Sequence, residues 1–302
     1  MADTKICLVT GANSGIGRAA AMMLATAGAE VVMSCRNRER GEQAVDTVQH
    51  GSGSTRVSLL LLDLSSRASI RGACTAFCHR FSRLDVLIHN AADFDMSRKG
   101  ATYTEDGIET VWATNHLGPV LLTNGLWKEL EQSAAARIVT VASKGLIMHP
   151  LLRVRLDDPE FRNGGFRMDR AYYQSKLAQV MYTYWLAQQL ESTGITANCV
   201  RVTNVRIDVA RYANIRPFSR WLYSMKSRSA ISPERMAETY AWLALSPEAE
   251  GISGRYFDEN HQPVESSPYS RDPENIRQVM ELTARYVPGK LIPMTASVAP
   301  AG

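Results

Sequence analysis

Short apolar runs alternate along the chain with longer stretches whose apolar residues recur at helical spacing. The runs Ile6–Thr10, Glu30–Ser34, Val57–Leu62, Leu84–His89, Arg137–Val141, Thr196–Val200 and Gly254–Phe257 predict strands. Between them, Gly15–Ala27, Arg38–His50, Ser66–Phe81, Glu105–Leu130, Arg170–Glu191 and Pro233–Ala244 predict helices. Strands alternating with helices of this length mean βαβ units, hence a parallel sheet covered by helices on both faces. Right-handed crossovers then assemble the α/β units into a doubly wound sheet. No Pro/Gly/Ser-rich linker and no internal repeat divides residues 1–302, so a single domain is expected.

Two segments break the alternation. Residues 145–169 hold Pro150, Asp157, Asp158, Pro159, Gly164 and Gly165 and read as a long insertion loop. Residues 204–231 carry Tyr212, Phe218, Trp221, Leu222, Tyr223 and Met225 among arginines and read as short amphipathic helices forming a lid. Long loops in compact domains tend to serve function, so both are candidate walls for a bulky, hydrophobic small-molecule substrate. The lid aromatics would serve equally to pack it onto the body. After about residue 288 the chain turns small and polar and is expected to fray.

Composition narrows the functional classes. With 45% hydrophobic and 21% charged residues the chain can bury a sizeable core, and its net charge of +4 is spread without a basic block. Nucleic-acid binding is therefore not expected. The cysteines (Cys7, Cys35, Cys74, Cys78 and Cys199) are odd in number and scattered, which predicts free thiols in a reducing compartment. Cys74, Cys78 and His79 resemble half of a metal site, but no second ligand pair completes it, so no metal is expected. No apolar run is long enough for a signal peptide or membrane span, which predicts a soluble, cytoplasmic protein.

The string Thr10-Gly11-Ala12-Asn13-Ser14-Gly15-Ile16-Gly17 follows the first strand and opens the first helix. That context suits a phosphate cradle. Gly11 permits a sharp exit from the strand, Gly15 lets the backbone approach a pyrophosphate, and Gly17 lets helix and strand pack closely. Free N–H groups and the positive helix end then face the anion. A tight strand–helix turn without a ligand would use the same glycines. The second strand ends in Met33-Ser34-Cys35-Arg36-Asn37-Arg38, with no acid before Glu39. A carboxylate there would hold a ribose 2′-hydroxyl, whereas a 2′-phosphate needs a cation, and the planar fork of Arg36 can meet it. NADP is thus favoured over NAD, with the start of a solvated helix as the alternative use of Arg36.

Tyr172-x-x-x-Lys176 places a phenol and an ammonium one turn apart on one helical face. A free Tyr titrates near ~10, too high for efficient proton transfer at neutral pH, and an adjacent cation favours the phenolate. Tyr173 is a rival displaced by about 100° around the helix and reads as packing or substrate wall. The same helix is apolar around much of its circumference (Val180, Met181, Tyr184, Trp185, Leu186), which is compatible with a homodimer or with cover by insertion loops.

The T-G-x-x-x-G-x-G turn, followed in order by Asn115, Ser143, Tyr172 and Lys176, resembles the short-chain dehydrogenase/reductase family over roughly residues 5–260. The resemblance implies a Rossmann-like fold and hydride transfer between nicotinamide and a carbonyl or alcohol carbon. It implies that Asn13, Ser14 and Ile16 line the cofactor turn with the three glycines. Asp63 and Leu64 would hold the adenine, and Asn90 and Ala91 would lie beside the cofactor. Ser143 would bond the substrate oxygen, Tyr172 would transfer the proton, Lys176 would tune Tyr172 and touch the nicotinamide ribose, and Asn115 would position a water. His89-Asn90-Ala91-Ala92 departs from the family's N-N-A-G in its first and last residues.

A second departure lies after the sixth strand. The family's Pro-Gly turn is replaced by Val202-Thr203, and Ile207 stands at the family's Thr position, leaving nicotinamide contacts to the Val205 backbone or Thr203. Ser34-Cys35-Arg36-Asn37, Leu156-Asp157-Asp158 and Tyr173-Gln174-Ser175-Lys176 look like the retinol-dehydrogenase-type subgroup, which implies a bulky lipophilic substrate. An NADP-binding sensor without turnover, and an oxidoreductase acting on a C=C bond, remain alternatives.

Overall fold

A computed structural model describes residues 4–206, 230–289 and 291. The lid expected at 204–231 lies, except at its two ends, outside the described residues, as does most of the tail after 288.

The strands are β1 (Ile6–Thr10), β2 (Glu30–Cys35), β3 (Val57–Leu61), β4 (Val86–His89), β5 (Arg137–Ser143), β6 (Thr196–Val202) and β7 (Tyr256–Phe257). All pair in parallel, in the order β3-β2-β1-β4-β5-β6-β7. The order reverses between β1 and β4, and a doubly wound sheet opens its ligand crevice beyond the carboxyl ends of the strands at that point.

Strand alternation sends side chains to two cores. Leu8, Leu87 and Ile138 enter one with Trp112, Leu117, Leu177 and Met181, whereas Val9, Ile88 and Val139 enter the other with Ala20, Leu24, Val45 and Tyr240. Helices α1 (Gly15–Thr26) and α2 (Arg38–Ser52) belong to the second core, and α3 (Arg67–Cys78) belongs to the first.

The stretch expected as one helix over Glu105–Leu130 is instead α4 (Thr110–Trp112), a π-helical turn (Ala113–Leu117), α5 (Gly118–Gly125) and α6 (Trp127–Glu131). Glu109, not an earlier residue, starts it: its buried carboxylate accepts the N–H groups of Val111 (3.1 Å) and Trp112 (2.8 Å). In the π-turn the Gly118 N–H bonds back to Ala113 O, and Pro119 has no N–H with which to continue an α pattern. Asn115 and His116 are both buried as a result.

The insertion at 145–169 is more ordered than a plain loop. It begins as a 3-10 turn over Lys144–Met148, and the buried Asp158 carboxylate ties it together through the N–H groups of Arg162 (2.7 Å) and Asn163 (3.1 Å). Helix α7 (Met168–Gln189) follows, then α8 (Pro233–Leu245).

Two further helices, α9 (Pro268–Arg271) and α10 (Pro273–Ala284), lie where none was expected. Ile276, Val279 and Met280 of α10 join Met181, Tyr182 and Leu186 of α7 in one core. The second buried face of α7 is therefore covered from within the chain.

Two histidines sit inside this core as neutral bases. Thr283 Oγ donates its only hydrogen to Val279 O (2.7 Å), so His116 Nε2 must be the donor in their 2.8 Å contact. Its Nδ1 then accepts from Gln179. By the same reasoning Thr123 donates to Pro119 O, and His89 Nε2 donates to Thr123 (2.9 Å). Burial pushes both imidazoles down to about 3. Their native values lie below the unfolded ~6.5, so stability is complete above that value and is lost as pH falls toward the native one. Between pH 6 and 5 unfolding should take up close to two protons, a slope of roughly 2.7 kcal/mol per pH unit. Urea midpoints that do not move over this interval would contradict the assignment.

Candidate active site

The loop after β1 is built for close approach. Gly11 has φ +63°, and a Cβ there would stand 2.8 Å from Ala91 Cα; Gly15 has φ +56°. A Cβ on Gly17 would press on Asn90 Nδ2 and come within 2.6 Å of Gly11 O. Asn90 fills that space, donating to Thr10 O (2.9 Å) and Gly11 O (3.2 Å) while its Oδ1 accepts from Tyr240 (3.4 Å). Thr10 Oγ completes the joint by donating to Ile88 O and accepting the Ala91 N–H. The switch point between β1 and β4 is thereby rigid.

Helix α1 starts at Gly15, and its N-cap Ser14 makes no side-chain cap bond, nor is there an acid in the first turn. Asn37, Ser66, Ser232, Ser267 and Asp272 cap α2, α3, α8, α9 and α10, whereas α5, α6 and α7, like α1, have no side-chain cap. An uncapped helix end beside glycines that no Cβ could replace fits a dinucleotide pyrophosphate. Asn13, Ser14 and Ile16 are half-buried along this turn, and Ile16 also packs on the core below.

The next strands carry the other residues expected to meet the cofactor. Arg36 is exposed immediately after β2, whereas its neighbour Arg38 pairs with Glu42 at 3.4 Å. Asp63 is half-buried and accepts from Ser65 N–H (2.9 Å) and Ser65 Oγ (2.7 Å). Leu64 is buried in the core, so its side chain cannot serve a ligand and only its backbone could. Val205 bridges in parallel to Ile231 through Arg206 N–H and Asn204 O, so its own N–H and C=O point to the other side of the strand.

Helix α7 carries the titratable pair. Lys176 is buried, its Nζ donates to Val141 O at 2.8 Å, and it lies 5.7 Å from the centre of the Tyr172 ring. Burial pushes the ammonium down to about 8, partly opposed by Cys199. The Tyr172 ring meets Phe94 at 4.3 Å and Tyr173 at 5.3 Å. Tyr173 itself stacks on His149 at 4.4 Å and crosses Gly145, which is a packing position. Ser143 ends β5, and its Oγ accepts the Gly145 N–H (3.2 Å), leaving its hydroxyl hydrogen to donate elsewhere.

Asn115 has an occupation that the sequence did not disclose. Its Oδ1 accepts Asp93 N–H (2.6 Å), and its Nδ2 donates to Asp93 O (3.0 Å) and Ser175 Oγ (3.1 Å). Ser175 in turn donates to Tyr172 O (2.7 Å). The amide is thus committed to placing the β4 loop against α7. Gln174 was also missed: it anchors the insertion through Arg155 N–H (3.1 Å) and Pro159 O (2.9 Å). Among the described residues no cluster of His, Cys, Asp or Glu could hold a metal, all five cysteines are free, and no helix is long and apolar enough to cross a membrane.

Comparison with known proteins gives a consistent answer. The short chain dehydrogenase family profile matches residues 5–150. Retinol dehydrogenase 14 of Mus musculus is 39% identical over 264 residues, covering 84% of this chain and 77% of the relative. Dehydrogenase/reductase SDR family member 13 of Bos taurus is 38% identical over 285 residues, covering 93% and 72%. Among solved structures, an uncharacterized protein from Mycobacterium Paratuberculosis superposes with a TM-score of 0.68 at 27% identity, covering 93% of this chain and 92% of its own.

Proposed function

Because the chain belongs to the short-chain dehydrogenase/reductase family, in its retinol-dehydrogenase-type subgroup, we propose that it is an NADP-dependent oxidoreductase interconverting a bulky hydrophobic alcohol and its carbonyl. The observation that carries this reading is the buried Lys176 ammonium against the Tyr172 ring on α7, in a chain whose glycine turn leaves β1 at the sheet's switch point.

Bound nicotinamide would supply or accept the hydride. The chain's own groups do the rest. In the reducing direction the Ser143 hydroxyl and the Tyr172 phenol bond the carbonyl oxygen and stabilise charge as it gathers there. Tyr172 delivers its proton to that oxygen, and the Lys176 cation stabilises the phenolate left behind. Asn115 contributes placement, since its amide is occupied by Asp93 and Ser175. Oxidation of an alcohol reverses each step.

Arg36 supports NADP as the cofactor, because it is an exposed guanidinium at the end of β2 where an acid would select NAD. Arg36→Ala should weaken NADPH about 10–100-fold, the worth of a charge-assisted bond to phosphate, and leave NADH within about threefold. Calorimetric titration reads both, and a parent that binds NADH as tightly as NADPH would defeat the assignment. For the substrate, the half-buried Phe94 and Phe166 beside Tyr172 supply an apolar wall, backed by the buried Phe161 and Met168. The relatives' names add retinoid alcohols and aldehydes as the first class to try. Free thiols support a reducing compartment such as the cytoplasm.

The test is oxidation of NADPH by purified protein against a panel of bulky aldehydes and ketones, long polyene aldehydes included. Turnover of at least one supports the reading. NADPH binding without turnover on the whole panel would favour a sensor of the same fold.

A further inference from the structure

The loop that leaves β4 is pinned with unusual economy. Asn115 takes both backbone groups of Asp93, and the Asp93 carboxylate meets Arg98 at 2.7 and 3.3 Å. Both charges of that pair are mostly buried. Residue 93 cannot shift without breaking these bonds, so the next residue is fixed too. That residue is Phe94, half-buried, with its ring 4.3 Å from that of Tyr172 at an interplanar angle of 41°. Phe161, Phe166, Met168, Val111 and Ala171 back the two rings in one small apolar cluster separate from the main cores.

We propose that Phe94 is a positioning and specificity-determining residue: it holds the Tyr172 phenol in one orientation and closes the space beside it to substrates branched at the carbonyl. The inference rests on the oxidoreductase reading and adds to it a residue and a selectivity. A phenol turns about two side-chain torsions, and the proton it delivers must meet an oxygen whose position Ser143 also constrains. An aromatic neighbour in tilted contact is a modest restraint in energy, but displacement of a reacting group by about 1 Å can cost on the order of a hundredfold in rate. A substrate oxygen bonded to the Tyr172 phenol would lie near this ring, so a substituent on that side of the carbonyl carbon would collide with it. Asn115 gains a definite purpose in this arrangement, because its two bonds to Asp93 are what deliver the ring.

The experiment compares the parent, Phe94→Ala and Phe94→Tyr, with NADPH and two matched substrates, a linear aldehyde and a ketone branched at the carbonyl. For Phe94→Ala, kcat on the linear aldehyde should fall about tenfold with the Kd for NADPH unchanged. The ratio of kcat/KM for the branched ketone over the linear aldehyde should rise at least about tenfold. Phe94→Tyr should restore both values to within about threefold of the parent. A residue that served only packing would lower the melting temperature and leave the ratio where it was, and that result overturns the proposal. Arg98→Leu, which frees the loop without touching the aromatic pair, should shift kcat in the same direction by a smaller factor. A parent inert toward every carbonyl sinks the oxidoreductase reading and this one with it. A parent that turns over while Phe94→Ala matches it in kcat and ratio sinks only this one.

Discussion

Tyr172→Phe is expected to lower kcat about a thousandfold while leaving NADPH affinity and substrate KM within about threefold of the parent. The phenyl ring keeps its place against Phe94 and Tyr173, so packing survives and only the hydroxyl is removed. Loss of a positioned proton donor costs on the order of 100- to 10,000-fold, and a drop confined to kcat is the mark of an interaction made in the transition state. Tyr173→Phe is the control. Its side chain lies between His149 and Gly145, so removal of its hydroxyl should leave kcat within about threefold. Steady-state kinetics on the best substrate of the panel decide the matter, and a Tyr172→Phe protein retaining a tenth of parental kcat would remove the phenol from the chemistry.

Lys176→Met should cost at least about a hundredfold in kcat and reveal what the cation costs the fold. The ammonium is held at about 8 by burial, below the ~10.5 it would have in the unfolded chain. From pH 8 upward the folded protein sheds this proton before the unfolded chain does, so the group's contribution to stability improves with rising pH until about 10.5. The gain is about 1.4 kcal/mol per pH unit. The methionine variant has no such proton. The stability difference between parent and variant, followed by urea unfolding at pH 7, 8 and 9, should therefore swing toward the parent as pH rises. Subtracting the two curves cancels the buried tyrosines and cysteines, which pull the other way. A difference that is flat over this range would mean that the amine is not buried as described.

The strands were legible because most are buried on both faces, the edge strand β3 less so, and an apolar run bounded by turn residues has few other uses. Arg137–Val141 and Thr196–Val200 each run two residues further, to Ser143 and Val202, because Ala142 pairs with Arg201 and Ser143 with Val202 in the same register. The continuous helix expected over Glu105–Leu130 failed for a local reason: Gly118-Pro119 cannot hold an uninterrupted α ladder. Helices α9 and α10 were not expected, and each has a proline, Pro268 or Pro273, at its start. Each proline is the first helical residue behind a capping Ser267 or Asp272, the place where proline is tolerated best.

Within the site, the glycine turn and the Tyr172–Lys176 spacing were readable because both are local patterns. Phe94 carried no signal, since nothing along the chain tells that a loop after β4 will meet a ring on α7. The role of Asn115 was half visible. Its place in order pointed to the site, but its bonds to Asp93 and Ser175 exist only in three dimensions.

The π-turn at Ala113–Leu117 acts as a one-residue phase shift in a helix otherwise counted in steps of about 100°. Within the turn, Asn115 is aimed at the β4 loop; downstream, Gly118 is set so tightly on Leu64 O that a Cβ would come within 2.5 Å. Deleting one residue between 113 and 117 would regularise the ladder, yet every later side chain of α5 would rotate by a quarter-turn or more. Gly118 would leave the only spot that its missing side chain fits, and a bulkier neighbour would be driven onto the Leu64 carbonyl. The irregular turn is in this sense a vernier, letting two faces of one segment be registered separately, one to the β4 loop and the other to the Leu64 carbonyl.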